Sequence, residues 1–103
     1  MSQTVTLIIP HQLGKDEAKR RIQSGFASLI QPLATMLAID RQEWRGDRLE
    51  FAATALGQKT TGSIDVEEGH VRLAIELPRL LAALVEKATP LIEKRGRWLL
   101  EKK

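Results

Sequence analysis

The alternation of apolar and polar residues between residues 44 and 77 constrains the fold more than any other feature. The alternating stretches are separated by Gly46-Asp47, by Leu56 to Lys59 and by Glu68-Gly69. Such a pattern is typical of antiparallel strands with one buried face, joined by hairpins. With two-residue turns at the first and third breaks and a four-residue loop at the second, one face collects Trp44, Leu49, Phe51, Ile64, Val66, Val71, Leu73, Ile75 and Leu77. A shift of one residue in the pairing register would turn all the apolar side chains of that strand towards water. Because the three hairpins place the apolar side chains on the same face, the sequence predicts a sheet with one buried face.

The segments on either side complete an α+β fold. TVTLII, residues 4 to 9, is typical of a strand, and Pro10 ends its hydrogen-bonding pattern. A helix is expected from about Lys15, since apolar residues recur there every three or four positions, and Pro32 should kink or end it. After Pro78 a second helical stripe begins, and Thr89-Pro90 predicts a kink before a last segment through Leu99.

The expected order is therefore β-α-β-β-β-β-α in one domain spanning residues 1 to 103. The second stripe comprises Leu80, Leu81, Leu84, Val85, Ala88, Leu91 and Ile92. Two kinked helices should pack on the apolar face of a curved antiparallel sheet. By topology alone this is a reduced relative of the helix-grip fold, and that comparison is an analogy.

Composition excludes several classes of function. The chain has no cysteine, so disulfides and thiolate chemistry are impossible, and a reducing cytoplasm suits it. The N-terminal sequence lacks the features of a signal peptide, and no apolar run is long enough for a transmembrane segment. We therefore expect a cytoplasmic protein.

The candidates for chemistry are few. His11 follows the first strand, but the sequence nominates no acid or nucleophile to act with it, and His70 stands apart. Two isolated histidines do not form a metal site. We therefore expect His11 to be structural, its ring bonding backbone where the strand meets the helix. The sequence predicts no catalytic residue, metal or cofactor.

The C-terminal end is basic and contains a tryptophan. Residues 94–103 hold five basic residues and one acidic residue, so the rest of the chain is close to neutral within the total of +3. Such an end could bind an amphiphilic or anionic surface through Arg95, Arg97, Trp98, Lys102 and Lys103. The continuing apolar stripe instead favours Trp98 and Leu99 packing on the sheet beside Trp44. Nucleic acid is not expected, because a single basic cluster has no aromatic residues interleaved on a sheet.

A column of small residues marks a second possible site. Ala53, Ala55 and Gly62 lie on the inner face of the predicted sheet, with Ala53 opposite Gly62. Small side chains there permit either close approach of a helix or a cavity between sheet and helices. Close packing is the expectation for a chain of this size.

Four segments resemble the small polyhydroxyalkanoic acid system proteins of bacteria. They are PHQLGKDEAKRRI, WRGDRLEF, TTGSIDV and VRLAIELPRLLAAL, and the similarity covers almost the whole chain. The first carries His-x-Leu-Gly followed by Glu-Ala-x-x-Arg-Ile, that is, His11, Leu13, Gly14, Glu17, Ala18, Arg21 and Ile22. The resemblance implies a cytoplasmic context around storage-polyester granules or their regulation, and it implies no active site.

These observations lead to two expectations of function. The first is a non-enzymatic binding or structural protein of the polyhydroxyalkanoate system, which acts through its surface on granules or granule proteins and could form a homo-oligomer. The alternative is a small carrier that holds an apolar or acyl ligand between the sheet and the helices, in the space over Ala53, Ala55 and Gly62.

Overall fold

The computed structural model describes residues 2–101 of the chain and shows an α+β fold. Its elements are β1 (Ser2–Pro10), α1 (Lys15–Leu29), a short 3₁₀ helix (Gln31–Leu33), β2 (Leu37–Arg45), β3 (Arg48–Ala55), β4 (Gln58–Val66), β5 (His70–Pro78) and α2 (Arg79–Leu99). The five strands form one sheet in the order β1-β5-β4-β3-β2, with every neighbouring pair antiparallel. The order predicted from the sequence is therefore confirmed.

Two of the three predicted hairpins have the expected register. Trp44 lies opposite Leu49 across the β2–β3 hairpin, and Val66 lies opposite Val71 across the β4–β5 hairpin. Glycine-containing two-residue turns fix these registers, because the turn length sets which residues face each other.

The third hairpin corrects the prediction. The expected four-residue loop, Leu56 to Lys59, sets Phe51 opposite Ile64 and Ala53 opposite Gly62. In the structure Phe51 lies opposite Gly62 and Ala53 opposite Thr60, because the β3–β4 turn has only two residues. Leu56 and Gly57 both adopt positive φ angles, 50° and 83°, as a tight hairpin turn requires. A leucine seldom takes this conformation, so the sequence gives little sign of it. The shift is an even number of residues, and the same side chains still face the core.

Both helices pack on the inner face of the sheet and close one hydrophobic core. The rings of Phe26 on α1 and Phe51 on β3 meet at 5.3 Å between centroids. The largest side chains that the core buries fully are Ile9, Ile22, Leu29, Leu33, Leu49, Ile64, Ile75, Leu77, Ile92, Val66, Val71 and Val85. This core positions α2 over β1 and β5.

Helix α2 is one element and not two. It continues through Pro90, so the expected interruption at Thr89-Pro90 does not divide it. Pro90 removes one backbone donor from the helix. Buried residues on both sides of it, Val85 and Ile92, keep the two halves packed on the same core.

Candidate surface-binding site on helix α2

Three large apolar side chains of α2 point into solvent along one line. Leu80 is 79% exposed, Leu91 56% and Trp98 69%. Leu91 follows Leu80 by eleven residues, which is about three turns of an α-helix. Trp98 follows Leu91 by seven residues, which is about two turns. The line is therefore parallel to the helix axis and about 27 Å long.

The structure overturns three expectations at this surface. The apolar stripe predicts that Leu80 and Leu91 face the core and that Trp98 packs on the sheet beside Trp44, but all three are exposed. One helix face cannot hold every apolar residue of α2, and the core side is already filled by Leu81, Ala82, Val85 and Ile92.

Basic residues accompany the apolar line. Lys87, Lys94 and Arg95 are exposed, and Lys87 and Lys94 follow Leu80 at intervals of seven residues, so they lie on the same side. Neither lysine forms an ion pair within residues 2–101. We refer to the resulting set as the α2 outer surface: Leu80, Lys87, Leu91, Lys94, Arg95 and Trp98.

The predicted basic cluster is only partly contained in this surface. Arg95 and Trp98 belong to it, whereas Arg97 faces another side of the helix and pairs with Glu93 at 2.9 Å. Lys102 and Lys103 lie outside the described residues. The sequence analysis did not identify Leu80 and Leu91 as surface residues. A spacing of seven residues does connect Leu80 with Lys87 and Lys94, and Leu91 with Trp98, and this spacing could have indicated a shared exposed side.

The family-like motif on α1 holds the C-terminal end of α2. The guanidinium of Arg21 donates hydrogen bonds to the backbone carbonyls of Leu99, at 3.3 Å, and of Glu101. Glu17 accepts a hydrogen bond from Nε of Arg21 at 2.9 Å and so orients that guanidinium. The last carbonyls of a helix have no partners inside it, and a cation there is favourable. This contact fixes the helix end from which Trp98 projects.

The charge of Glu17 is stabilised by its neighbours. Hydrogen bonds from Arg20 and then from Arg21 lower the pKa of the Glu17 carboxyl from 4.5 to about 2. The carboxylate is therefore ionised at any ordinary pH, and the Glu17–Arg21–α2 connection persists over that range.

Two glycines let α2 approach its neighbours closely. A Cβ at Gly25 of α1 would lie 2.8 Å from Cδ2 of Leu99, and one at Gly96 of α2 would lie 3.4 Å from Cγ1 of Ile9 and closer still to Cδ1. These contacts hold the inner side of α2 against α1 and β1, which leaves the α2 outer surface in solvent.

His11 bonds backbone through both ring nitrogens. Nδ1 accepts a hydrogen bond from the N–H of Leu13 at 3.2 Å, so Nε2 carries the proton and donates to the carbonyl of Glu67 at 3.0 Å. Gly14 follows with a φ of 80°, a conformation that favours glycine. The His-x-Leu-Gly part of the motif thus joins the start of α1 to the β4–β5 turn.

The small-residue column is buried at Ala53 and Ala55, and the ring of Phe51 lies against Gly62. A Cβ on Gly62 would lie 2.7 Å from Cε2 of Phe51 and 2.9 Å from the carbonyl oxygen of Ala74. A ligand between the sheet and the helices at Gly62 would have to displace Phe51.

The outer face of the sheet carries charges that pair with each other. An open cleft of about 500 Å³ lies over the small side chains of Ala52, Ser63 and Ala74. Around it Arg45 pairs with Glu50 at 2.8 Å, and Asp65 is shared by Arg48 at 3.3 Å and Arg72 at 3.8 Å. Opposite charges on neighbouring strands stabilise the sheet itself.

Two further observations concern residues 2–101 as a whole. No group of three or more histidine and carboxylate side chains in this range is arranged to hold a metal ion. No helix of the range combines the length and the hydropathy that crossing a bilayer requires.

Comparisons with known proteins identify the family. A comparison with curated proteins found no match. Among solved structures, TTHA0849 from Thermus thermophilus is 17% identical, with 98% of this chain and 95% of that chain covered and a TM-score of 0.35, too low to assign a fold. The profile of the family described as "Putative polyhydroxyalkanoic acid system protein" matches residues 5–99. The chain therefore belongs to this family.

Proposed function

We propose that this protein is a non-enzymatic, cytoplasmic component of the polyhydroxyalkanoate system that binds storage granules through the α2 outer surface. The observation that carries the proposal is the exposed line of Leu80, Leu91 and Trp98 on a helix whose inner side is already packed. Large apolar side chains aligned in solvent favour burial in an apolar phase. Membership of the polyhydroxyalkanoic acid system family supports the storage granule as a candidate for that phase.

The charges on the surface favour an anionic partner. Lys87, Lys94 and Arg95 lie beside the apolar line, whereas the acidic residues Glu86 and Glu93 occupy another side of α2. Two copies of this surface would bring lysines together, so self-pairing through it is disfavoured. A granule coated with amphiphiles or proteins of negative charge satisfies both the apolar and the basic groups.

The structural roles of the other candidates support a surface function. Both ring nitrogens of His11 are engaged with backbone groups, so that ring has no free nitrogen for acid–base catalysis. The motif residues Glu17 and Arg21 hold α2 in place. The motif is thereby connected to the proposed binding surface.

Co-sedimentation with isolated polyhydroxyalkanoate granules, native and protein-stripped, tests the proposal across a salt series. We expect the wild type to pellet with granules and binding to weaken as salt rises, because screening reduces the basic contribution. Binding to stripped granules identifies the granule surface as the partner, and binding to native granules alone identifies a granule protein. Failure to bind either preparation would overturn the proposal.

Three variants make the test specific to α2. A triple variant, Lys87→Gln with Lys94→Gln and Arg95→Gln, should lose the salt-sensitive part of binding, and Trp98→Gln should lose the apolar part. The matched control removes three exposed cations from the strands of the sheet: Arg41→Gln, Lys59→Gln and Arg72→Gln. If the control loses as much binding as the α2 triple variant, attraction depends on total charge and the α2 outer surface is not the site.

A further inference from the structure

Strand β1 is an edge of the sheet and has little of the usual protection of an edge, since its one proline, Pro10, is its last residue. Its sequence, SQTVTLIIP, contains no charged residue. Its register with β5 is regular from Ser2 to Pro10, without a bulge. A long, flat and uncharged edge strand exposes a row of backbone donors and acceptors that another strand can pair with.

The opposite edge, β2, is protected in two ways. It carries the charged residues Asp40, Arg41, Glu43 and Arg45, and its register with β3 shifts between Ile39 and Arg41. Charges and bulges are the devices by which natural sheets prevent edge-to-edge pairing. The same sheet therefore blocks one edge and leaves the other open.

The free side of β1 is accessible. A groove of about 340 Å³ runs along it, lined by Gln3, Thr4, Val5, Thr6, Glu86 and Thr89. Within residues 2–101, the backbone of β1 forms its ladder with β5 alone. The side chain of Ile8, 55% exposed, lies on the outer face of this strand.

We propose that β1 pairs with β1 of a second copy of the chain, antiparallel and about a two-fold axis, so that the two sheets become one continuous sheet. The strand has no charged residue of its own to repel its copy, and a two-fold axis makes the backbone donors of each copy face the acceptors of the other. Self-pairing of β2 would instead bring four charged residues and an irregular register from each copy to the junction. The proposal is independent of granule binding, because β1 is separate from the α2 outer surface.

The two-fold axis restricts the register. Directly opposed residues of an antiparallel pair point to the same face, and both sets of helices lie on one side of the continuous sheet. The sequence numbers of two residues that face each other across the two copies are therefore both even or both odd, and their sum is even. One residue of β1 therefore faces its own copy, and the outer-face residues of one copy, which include Thr4, Thr6 and Ile8, face outer-face residues of the other.

Sedimentation equilibrium over a range of protein concentrations tests the proposal. We expect a monomer–dimer equilibrium for the wild type. The double variant Thr4→Lys with Thr6→Lys places like charges across the two-fold axis and should raise the dimer dissociation constant at least about tenfold. The control, Ala38→Lys with Gln42→Lys, adds the same two charges to exposed positions of β2 and should leave the dissociation constant unchanged.

Oxidative cross-linking provides a second measurement that does not depend on the charge variants. The chain has no cysteine, so Thr4→Cys, Thr6→Cys and Ile8→Cys can be tested singly and in mixed pairs against Gln42→Cys. We expect the β1 cysteines to form a covalent dimer only in the combinations that a single two-fold register brings opposite each other. We expect no covalent dimer for Gln42→Cys. A wild type that stays monomeric at every concentration, or a dimer that neither the β1 lysines nor the β1 cysteines affect, would overturn the proposal.

Discussion

The two sides of α2 both carry large apolar residues, but only one side is buried. Leu91 and Ile92 are adjacent, yet Leu91 is 56% exposed and Ile92 is 2% exposed. One side of the helix packs on β1, β5 and α1, and the other side presents Leu80, Leu91 and Trp98 to solvent with exposed lysines beside them. The comparison shows that an apolar residue on this helix is buried in the core or left in solvent according to which side its neighbours cover.

The largest expected effect separates these neighbours directly. Ile92→Ala should lower the free energy of unfolding by about 2–5 kcal/mol, because it removes buried apolar atoms and leaves a cavity. Leu91→Ala should change it by no more than about 0.5 kcal/mol, because alanine and leucine are both good helix formers and the site is exposed. Urea unfolding of both variants measures the difference. Equal losses would show that the two sides of α2 are not distinct.

A smaller effect is expected from the close approach of α2 to β1. Gly96→Val should lower the free energy of unfolding by about 1–3 kcal/mol, because the added atoms meet Ile9 and Leu29. The control Ala83→Val adds a β-branched residue on an exposed position of the same helix and should cost only about 0.5 kcal/mol, its loss of helix propensity. Thermal or urea unfolding checks both, and a Gly96→Val variant as stable as the control would contradict the packing.

The smallest effect concerns the anchor at the end of α2. The pKa of Glu17 is lowered from 4.5 to about 2 in the folded protein, so its carboxylate stabilises the fold fully above pH 4.5, and this contribution is lost as the pH falls towards 2. Glu17→Gln should therefore have a lower Tm than the wild type at pH 7, and the two Tm values should converge near pH 2. A Tm difference that stays constant from pH 7 to pH 2 would exclude the carboxylate as the cause.

Much of the sheet was predictable because hairpin geometry is local. The Gly46-Asp47 and Glu68-Gly69 turns gave the right registers, and the alternation placed Leu49 to Leu77 on the correct face. The β3–β4 register was wrong by two residues, since Leu56 adopts a positive φ that a leucine seldom takes. The tertiary sheet enforces this turn by pairing Phe51 with Gly62, where the ring of Phe51 has room only because Gly62 lacks a side chain.

The candidate site was less predictable than the fold. Arg95 and Trp98 were among the residues expected at a binding surface, but the same stripe of apolar residues also predicted that Trp98, Leu80 and Leu91 pack inside. A helical repeat shows which residues share a side, and it does not show how wide the covered side is. The hydrogen bonds from Arg21 to the carbonyls of Leu99 and Glu101 could not be predicted from the sequence either, because Arg21 and these carbonyls are about 80 residues apart in the chain.

By itself, the sequence determined the order of the elements, the face of each strand that is buried and the family to which the chain belongs. These follow from periods of two and of about 3.6 residues and from motifs within short segments. Only the tertiary structure decided which apolar residues of α2 stay in water and that β1 lies at the edge of the sheet opposite β2. Both depend on how elements distant in the chain cover one another, and burial is a property of the assembled layers and not of any single segment.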